Sequence, residues 1–139
     1  MLRKLPLILL LLIGFSACKK NTDKGCNIQT CTAEYVYLGI ILVDSQDKMV
    51  AVKDVTVINL RTKKPVTPPL YPPATHYTPN TMLIASDGTR EEFSSAGDDV
   101  EITATNTATG QIKKTVVKIS GGCNCHVSRV SGPIKLIFD

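Results

Sequence analysis

Five cysteines and two histidines carry most of the reactive chemistry open to this 139-residue chain. Cys123, Cys125 and His126 fall close together near the C-terminal end, while Cys26 and Cys31 lie near the start. Two chemistries suit this set. Thiolates and imidazole hold zinc in a tetrahedron, here with Cys123, Cys125 and His126 as three ligands and Cys26 or Cys31 as the fourth. Alternatively, the four thiols pair as two disulfides in an oxidising compartment. The spacing favours disulfides. Structural zinc sites typically use two cysteine pairs, each with about two to four residues between its members, and neither pair here fits well. On a strand, adjacent Cys125 and His126 point to opposite faces. Cys123 and Cys125, two apart, then share a face. That disfavours a bond between them and favours bonds to Cys26 and Cys31, with the choice of partner left open.

Two further groups have the right residue types for binding. Tyr71, His76 and Tyr77 lie in a proline-rich stretch and could offer an aromatic shelf to a ligand, or simply sit in a solvated loop. Asp87, Glu91, Glu92, Asp98 and Asp99 supply oxygen ligands of the kind calcium takes, but lack the alternating order of a calcium loop. Solvated turns are the expectation for them. Gly-x-Ser-x-Gly, His-Glu-x-x-His and a glycine-rich phosphate loop are all missing from the sequence. The expectation is therefore a non-catalytic chain, with no catalytic residues and no cofactor.

The first residues carry an address. Arg3 and Lys4 precede an almost wholly apolar run over 5–13, which is followed by Gly14, Phe15, Ser16, Ala17 and Cys18. Charge followed by a short apolar run is a secretory signal pattern. The run is well short of the roughly 20 residues that span a bilayer. Small residues directly before a cysteine resemble the lipobox of bacterial lipoproteins, with Phe15 where leucine is commoner. The resemblance implies cleavage after Ala17, a diacylglycerol on the Cys18 thiol and an acyl chain, such as palmitate, on the new amine. More than one chain is what firm membrane anchoring requires. Residues 18–25 then form a lipidated polar tether. By the same resemblance, Lys19 after the lipidated cysteine implies the outer membrane of a two-membrane bacterium.

Cleavage there leaves 14 basic and 12 acidic residues, a net charge of +2, and residues 26–139 balance at zero. A clustered basic patch of the kind that binds nucleic acid is not present. The mature length suits one domain.

Beyond the tether the periodicity is that of strands. Residues 35–43 are rich in β-branched and aromatic residues and apolar on both faces, which predicts a long central strand. A polar turn at 44–48 leads to a short edge piece at 50–52 and a good strand at 55–60. Six of the eight prolines fall within 65–79, a stretch that cannot join a sheet interior and reads as an extended loop. A weak strand follows at 81–85, then a turn at 86–89. Residues 99–105 alternate cleanly, placing Val100, Ile102 and Ala104 on one face. Turn chemistry at 106–110 pairs that strand with 111–120. Gly121 and Gly122 turn the chain again. Segments 125–127 and 134–138 form a closing strand or pair, interrupted at Gly132 and Pro133. About seven short strands with regular turn signals predict an all-β, immunoglobulin- or transthyretin-like sandwich over 26–139, after a signal peptide at 1–17.

Residues 43–64 resemble the carboxypeptidase regulatory-like domain, a transthyretin-like sandwich, through Asp44, Val55, Val57, Asn59 and Thr62. Asp47, Met49, Lys53, Asp54 and Lys63 depart from that pattern. The resemblance implies an accessory module and transfers no active site. Residues 121–133 resemble the tail of small bacterial envelope lipoproteins of uncharacterised activity. The expected role is a membrane-anchored binding or accessory module for a protein partner or a glycan. The alternatives are a zinc protein using Cys123, Cys125 and His126, or a structural envelope protein without ligand.

Overall fold

Strict alternation over Asp98–Asn106 builds the centre of the larger sheet. In a computed structural model that describes residues 26, 30–67 and 81–139, Val100, Ile102 and Ala104 are fully buried. Each fully buried valine or isoleucine contributes about 1.5–3 kcal/mol. Eight strands form: β1 (Tyr37–Asp44), β2 (Val52–Asn59), β3 (Lys64–Pro65), β4 (Thr81–Ser86), β5 (Asp98–Asn106), β6 (Ile112–Ser120), β7 (Ser128–Ser131) and β8 (Lys135–Phe138). They make an all-β sandwich of two sheets, β4-β1-β8 and β3-β2-β5-β6-β7.

β1 is the central strand of the smaller sheet, antiparallel to β4 and parallel to β8. Its Ile40 and Leu42 face the core, with Val36 and Leu38 packed against the same cluster. Gly39 lets β4 approach, because a Cβ there would collide with Thr81 Cγ2. In β2, Val52 and Val57 both pack on the core, although an odd separation normally puts residues on opposite faces. A bulge between Lys53 and Thr56, with Asp54 at φ 50°, restores the phase. The expected edge piece at 50–52 divides: Val50 N donates to Leu42 O, next to a bridge between Met49 and Val43, and Val52 opens β2.

The turn expected at 86–89 continues as a 3-10 helix over Asp87–Glu92. Ser86 N donates to Thr89 Oγ1, and the Thr89 hydroxyl donates to Ser86 O. The turn after β5 is as expected. Asn106 Oδ1 accepts the N–H groups of Ala108 and Thr109, and Gly110 turns with φ 72°.

The closing segment corrects the expectation at 125–127. These residues are not a strand but part of an irregular turn, 121–127, held by long-range partners: Gly122 N donates to Arg90 O, and Val127 N to Asp87 Oδ1. The interruption at Gly132 and Pro133 is where the chain leaves one sheet for the other, β7 pairing with β6 and β8 with β1. Gly132 adopts φ 103°, and a Cβ there would lie 2.8 Å from both Val116 O and Val117 Cα.

Two disulfides, Cys26–Cys123 and Cys31–Cys125, fasten the incoming chain to the 121–127 turn. Each closes a loop of nearly the whole domain, with sequence separations of 97 and 94. Their entropic effects depend on the order of formation. Once one bridge exists, the other closes only a small ring through 26–31 and 123–125. In the chain-entropy model the first bridge stabilises by about 4–5 kcal/mol and the second by only about 2 kcal/mol. Replacing either pair by alanine is expected to cost about 2 kcal/mol and replacing both pairs about 7 kcal/mol. Urea unfolding of the two double variants and the quadruple variant checks this non-additivity.

Candidate functional site

The strand registers bring segments 30–36, 59–67, 86–98 and 121–128 to one end of the sandwich. Most of the polar side chains singled out in the sequence meet there, in two clusters.

The first cluster centres on Asp98. This carboxylate stands in phase with Val100, Ile102 and Ala104, so β5 aims it inward, where its side chain is 2% exposed. It accepts hydrogen bonds from Arg61 Nε at 2.7 Å, Ser94 Oγ at 2.7 Å, Asn59 Nδ2 at 2.9 Å and Ser94 N at 3.0 Å. Burial alone pushes the carboxyl up, but the bonds from Arg61, Ser94 and Asn59 outweigh it and hold Asp98 well below the usual carboxylate range. Arg61 is in turn held charged by its bond to Asp98. Asn59, also buried, gives its amide to Asp98 and to Glu92 O, while its Oδ1 accepts from Arg61 N and Thr62 N. The tight turn after β2 and the segment before β5 are thereby tied to one buried charge.

Above this network lies a cleft of about 410 Å³ lined by Asn59, Arg61, Thr62, Lys64, Pro65, Thr67, Glu91 and Glu92. Glu92 is partly committed: its Oε2 accepts Thr67 N at 3.0 Å and its carbonyl accepts from Asn59 and Arg61.

The second cluster is a clamp. His126 Nδ1 lies 2.7 Å from Asp87 Oδ2, and His126 Nε2 lies 2.8 Å from Thr32 Oγ1. Asp87 also accepts Val36 N at 2.9 Å and Val127 N at 2.8 Å. Burial raises the Asp87 carboxyl, but the bonds from Val36, His126 and Val127 bring it below its ordinary value. Tyr35 adds a further tie, its hydroxyl oxygen accepting Gly88 N. Carboxylate, imidazole and hydroxyl stand here in the order of a nucleophilic relay. The carboxylate is also engaged by two backbone N–H groups and Thr32 directly follows a bridged cysteine, so the row joins three chain segments. Arg90 reinforces them through a bond from Nη1 to Cys125 O, and its buried Nε has no partner among the described residues, which nothing in the structure explains.

These positions answer the sequence expectations one by one. Cys26, Cys31, Cys123 and Cys125 are disulfide-bonded, so their sulfurs are not thiolates. Cys123 and Cys125 reach separate partners from a turn rather than from one face of a strand. Asp87 and Asp98 belong to different clusters, and Asp99 is exposed. Among the described residues no three His, Cys, Asp or Glu side chains converge as metal ligands, and no helix is long and apolar enough to cross a membrane. Tyr71, His76 and Tyr77 lie outside the described residues, as do Cys18 and the apolar run before it. Asp44 and Asn59, noted for the resemblance at 43–64, both cap turns: Asp44 Oδ1 accepts Gln46 N and Lys48 N, and Asn59 Oδ1 accepts Arg61 N. The sequence expectations do not include the roles of Asn59, Arg61 and Ser94 around Asp98. The available signal is the inward phase of Asn59 and Asp98, two polar residues on strand faces that are otherwise apolar. No protein-family model, curated protein or solved structure matches the chain.

Because Asp98 titrates lower in the fold than in the unfolded chain, its contribution is present above about pH 4 and is lost as the pH falls toward its folded value. Asp98→Asn is expected to destabilise the domain by about 2–4 kcal/mol at pH 7. The gap from the parent narrows at pH 3. Urea unfolding at the two pH values measures both effects.

Proposed function

We propose that this chain is a lipid-anchored, non-catalytic module of the bacterial cell envelope, acylated on Cys18 in the outer membrane and serving as a binding or accessory subunit for a protein partner or a glycan. The observation that carries the reading is the full pairing of the four domain cysteines. Cystines that staple a domain belong to oxidising compartments outside the cytoplasm. The order of charge, apolar run, small residues and cysteine over 3–18 supports the same destination. The resemblance of 43–64 to an accessory sandwich supports a role beside another component rather than a reaction of its own. So does the placement of the polar cleft on a scaffold whose surrounding turns are fixed by buried bonds.

Mass spectrometry of the protein from native membranes is expected to find an N-terminus at Cys18 carrying a diacylglycerol and an N-acyl chain. Cys18→Ala is expected to abolish acylation. An unmodified chain beginning at Met1 overturns the anchor. For the binding role, a pull-down from membranes compares the full chain with one lacking 70–79. Loss of specific partners supports recognition through the proline-rich stretch, and an unchanged set argues against that stretch as the recognition element.

A further inference from the structure

We infer that the cleft beside the turn after β2 binds a small zwitterion, an amino acid or short peptide presenting a free carboxylate and a free ammonium. The inference rests on the reading of the domain as a binding module and is independent of the lipid anchor. Its volume, about 410 Å³, falls within the range of about 300–1,000 Å³ usual for small-molecule pockets.

The lining carries two kinds of charge that do not satisfy each other. Arg61 and Lys64 supply cations, and Glu91 and Glu92 supply carboxylates. Among the described residues no ion pair joins either cation to either glutamate. Arg61 is fixed in place from behind. Asp98 holds its Nε at 2.7 Å and Glu92 O accepts from its Nη2 at 3.4 Å, while its side chain stays 53% exposed. A guanidinium held by a buried carboxylate has lost its rotamer freedom before any ligand arrives, so less entropy opposes binding. Its remaining N–H groups suit a carboxylate, with Lys64 as a second positive charge. Glu91, which has no ion pair among the described residues, suits an ammonium. Anions alone gain from the cations of the lining and are opposed by its carboxylates. A ligand bearing both charges gains from both, and that difference is what sets specificity.

The test titrates the full chain in detergent micelles, labelled with nitrogen-15, with the dipeptide Ala-Ala. The controls are N-acetyl-Ala-Ala amide, which lacks both charges, and sodium acetate, which lacks the ammonium. Saturable shifts of the Arg61, Thr62, Lys64 and Glu91 amides with Ala-Ala, much weaker with both controls, are the expected result. Lys64→Ala and Glu91→Gln, both exposed and outside the Asp98 network, are each expected to weaken Ala-Ala binding by roughly tenfold. Equal response to the capped peptide or to acetate overturns the proposal, as does saturable binding that both variants leave unchanged. Absence of any shift also overturns it. If the membrane pull-down still recovers specific partners in that case, the binding-module reading stands and only the zwitterion assignment falls.

Discussion

A negative charge placed inside a protein must be surrounded by donors or it will protonate or unfold its surroundings. Asp98 meets that demand with four donors drawn from Asn59, Arg61 and Ser94. These donors come from segments that would otherwise be free surface turns. The turn after β2 is pulled down by Asn59 and Arg61, and the approach to β5 is folded back by Ser94. The walls of the cleft adjoin those same segments. One inward-facing carboxylate therefore decides both how this end of the sandwich is shaped and how its exposed charges are presented.

The second cluster at the same end solves a different problem. The chain enters the domain through irregular residues before β1, which have no ladder of their own to hold them. Two cystines, the Asp87–His126–Thr32 row and the Tyr35 hydroxyl replace the missing ladder. Asp87 is effective in this role because it sits at the start of the 3-10 helix and faces both Val36 and Val127. It joins the entering segment and the 121–127 turn through a single carboxylate.

Much of the scaffold is legible in the residues. The alternation of 99–105, the turn chemistry of 106–110 and the two-faced apolar character of 35–43 are local signals. They identify β5, its hairpin with β6 and the central position of β1. The failures share a cause. Residues 125–127 look like a strand because Val127 is apolar and Cys125 is compatible with one, yet their backbone bonds go to Asp87 and Arg90, about 40 residues away in sequence. The 3-10 helix at 87–92 carries no long periodic pattern. The acidic residues at 87–99 look like one group by composition, whereas burial divides them: Asp98 follows the inward phase of β5 and Asp99 the outward one. Strand phase, applied to polar as well as apolar residues, separates the two. The bulge at Asp54 likewise hides in the odd spacing of Val52 and Val57. That Arg61 and Asn59 partner Asp98 is beyond local reading, because only the pairing of β2 with β5 brings them beside it.

The interlaced bridges also set a path for mechanical load. A pull applied upstream of Cys26 passes through sulfur into Cys123 and the turn that ends β6, bypassing β1. Tension therefore does not peel β1 from β4 and β8 one hydrogen bond at a time. The second bridge, Cys31–Cys125, closes a short covalent ring with the first. A domain fastened in this way takes a pull from its N-terminal side at the turn after β6 rather than at β1.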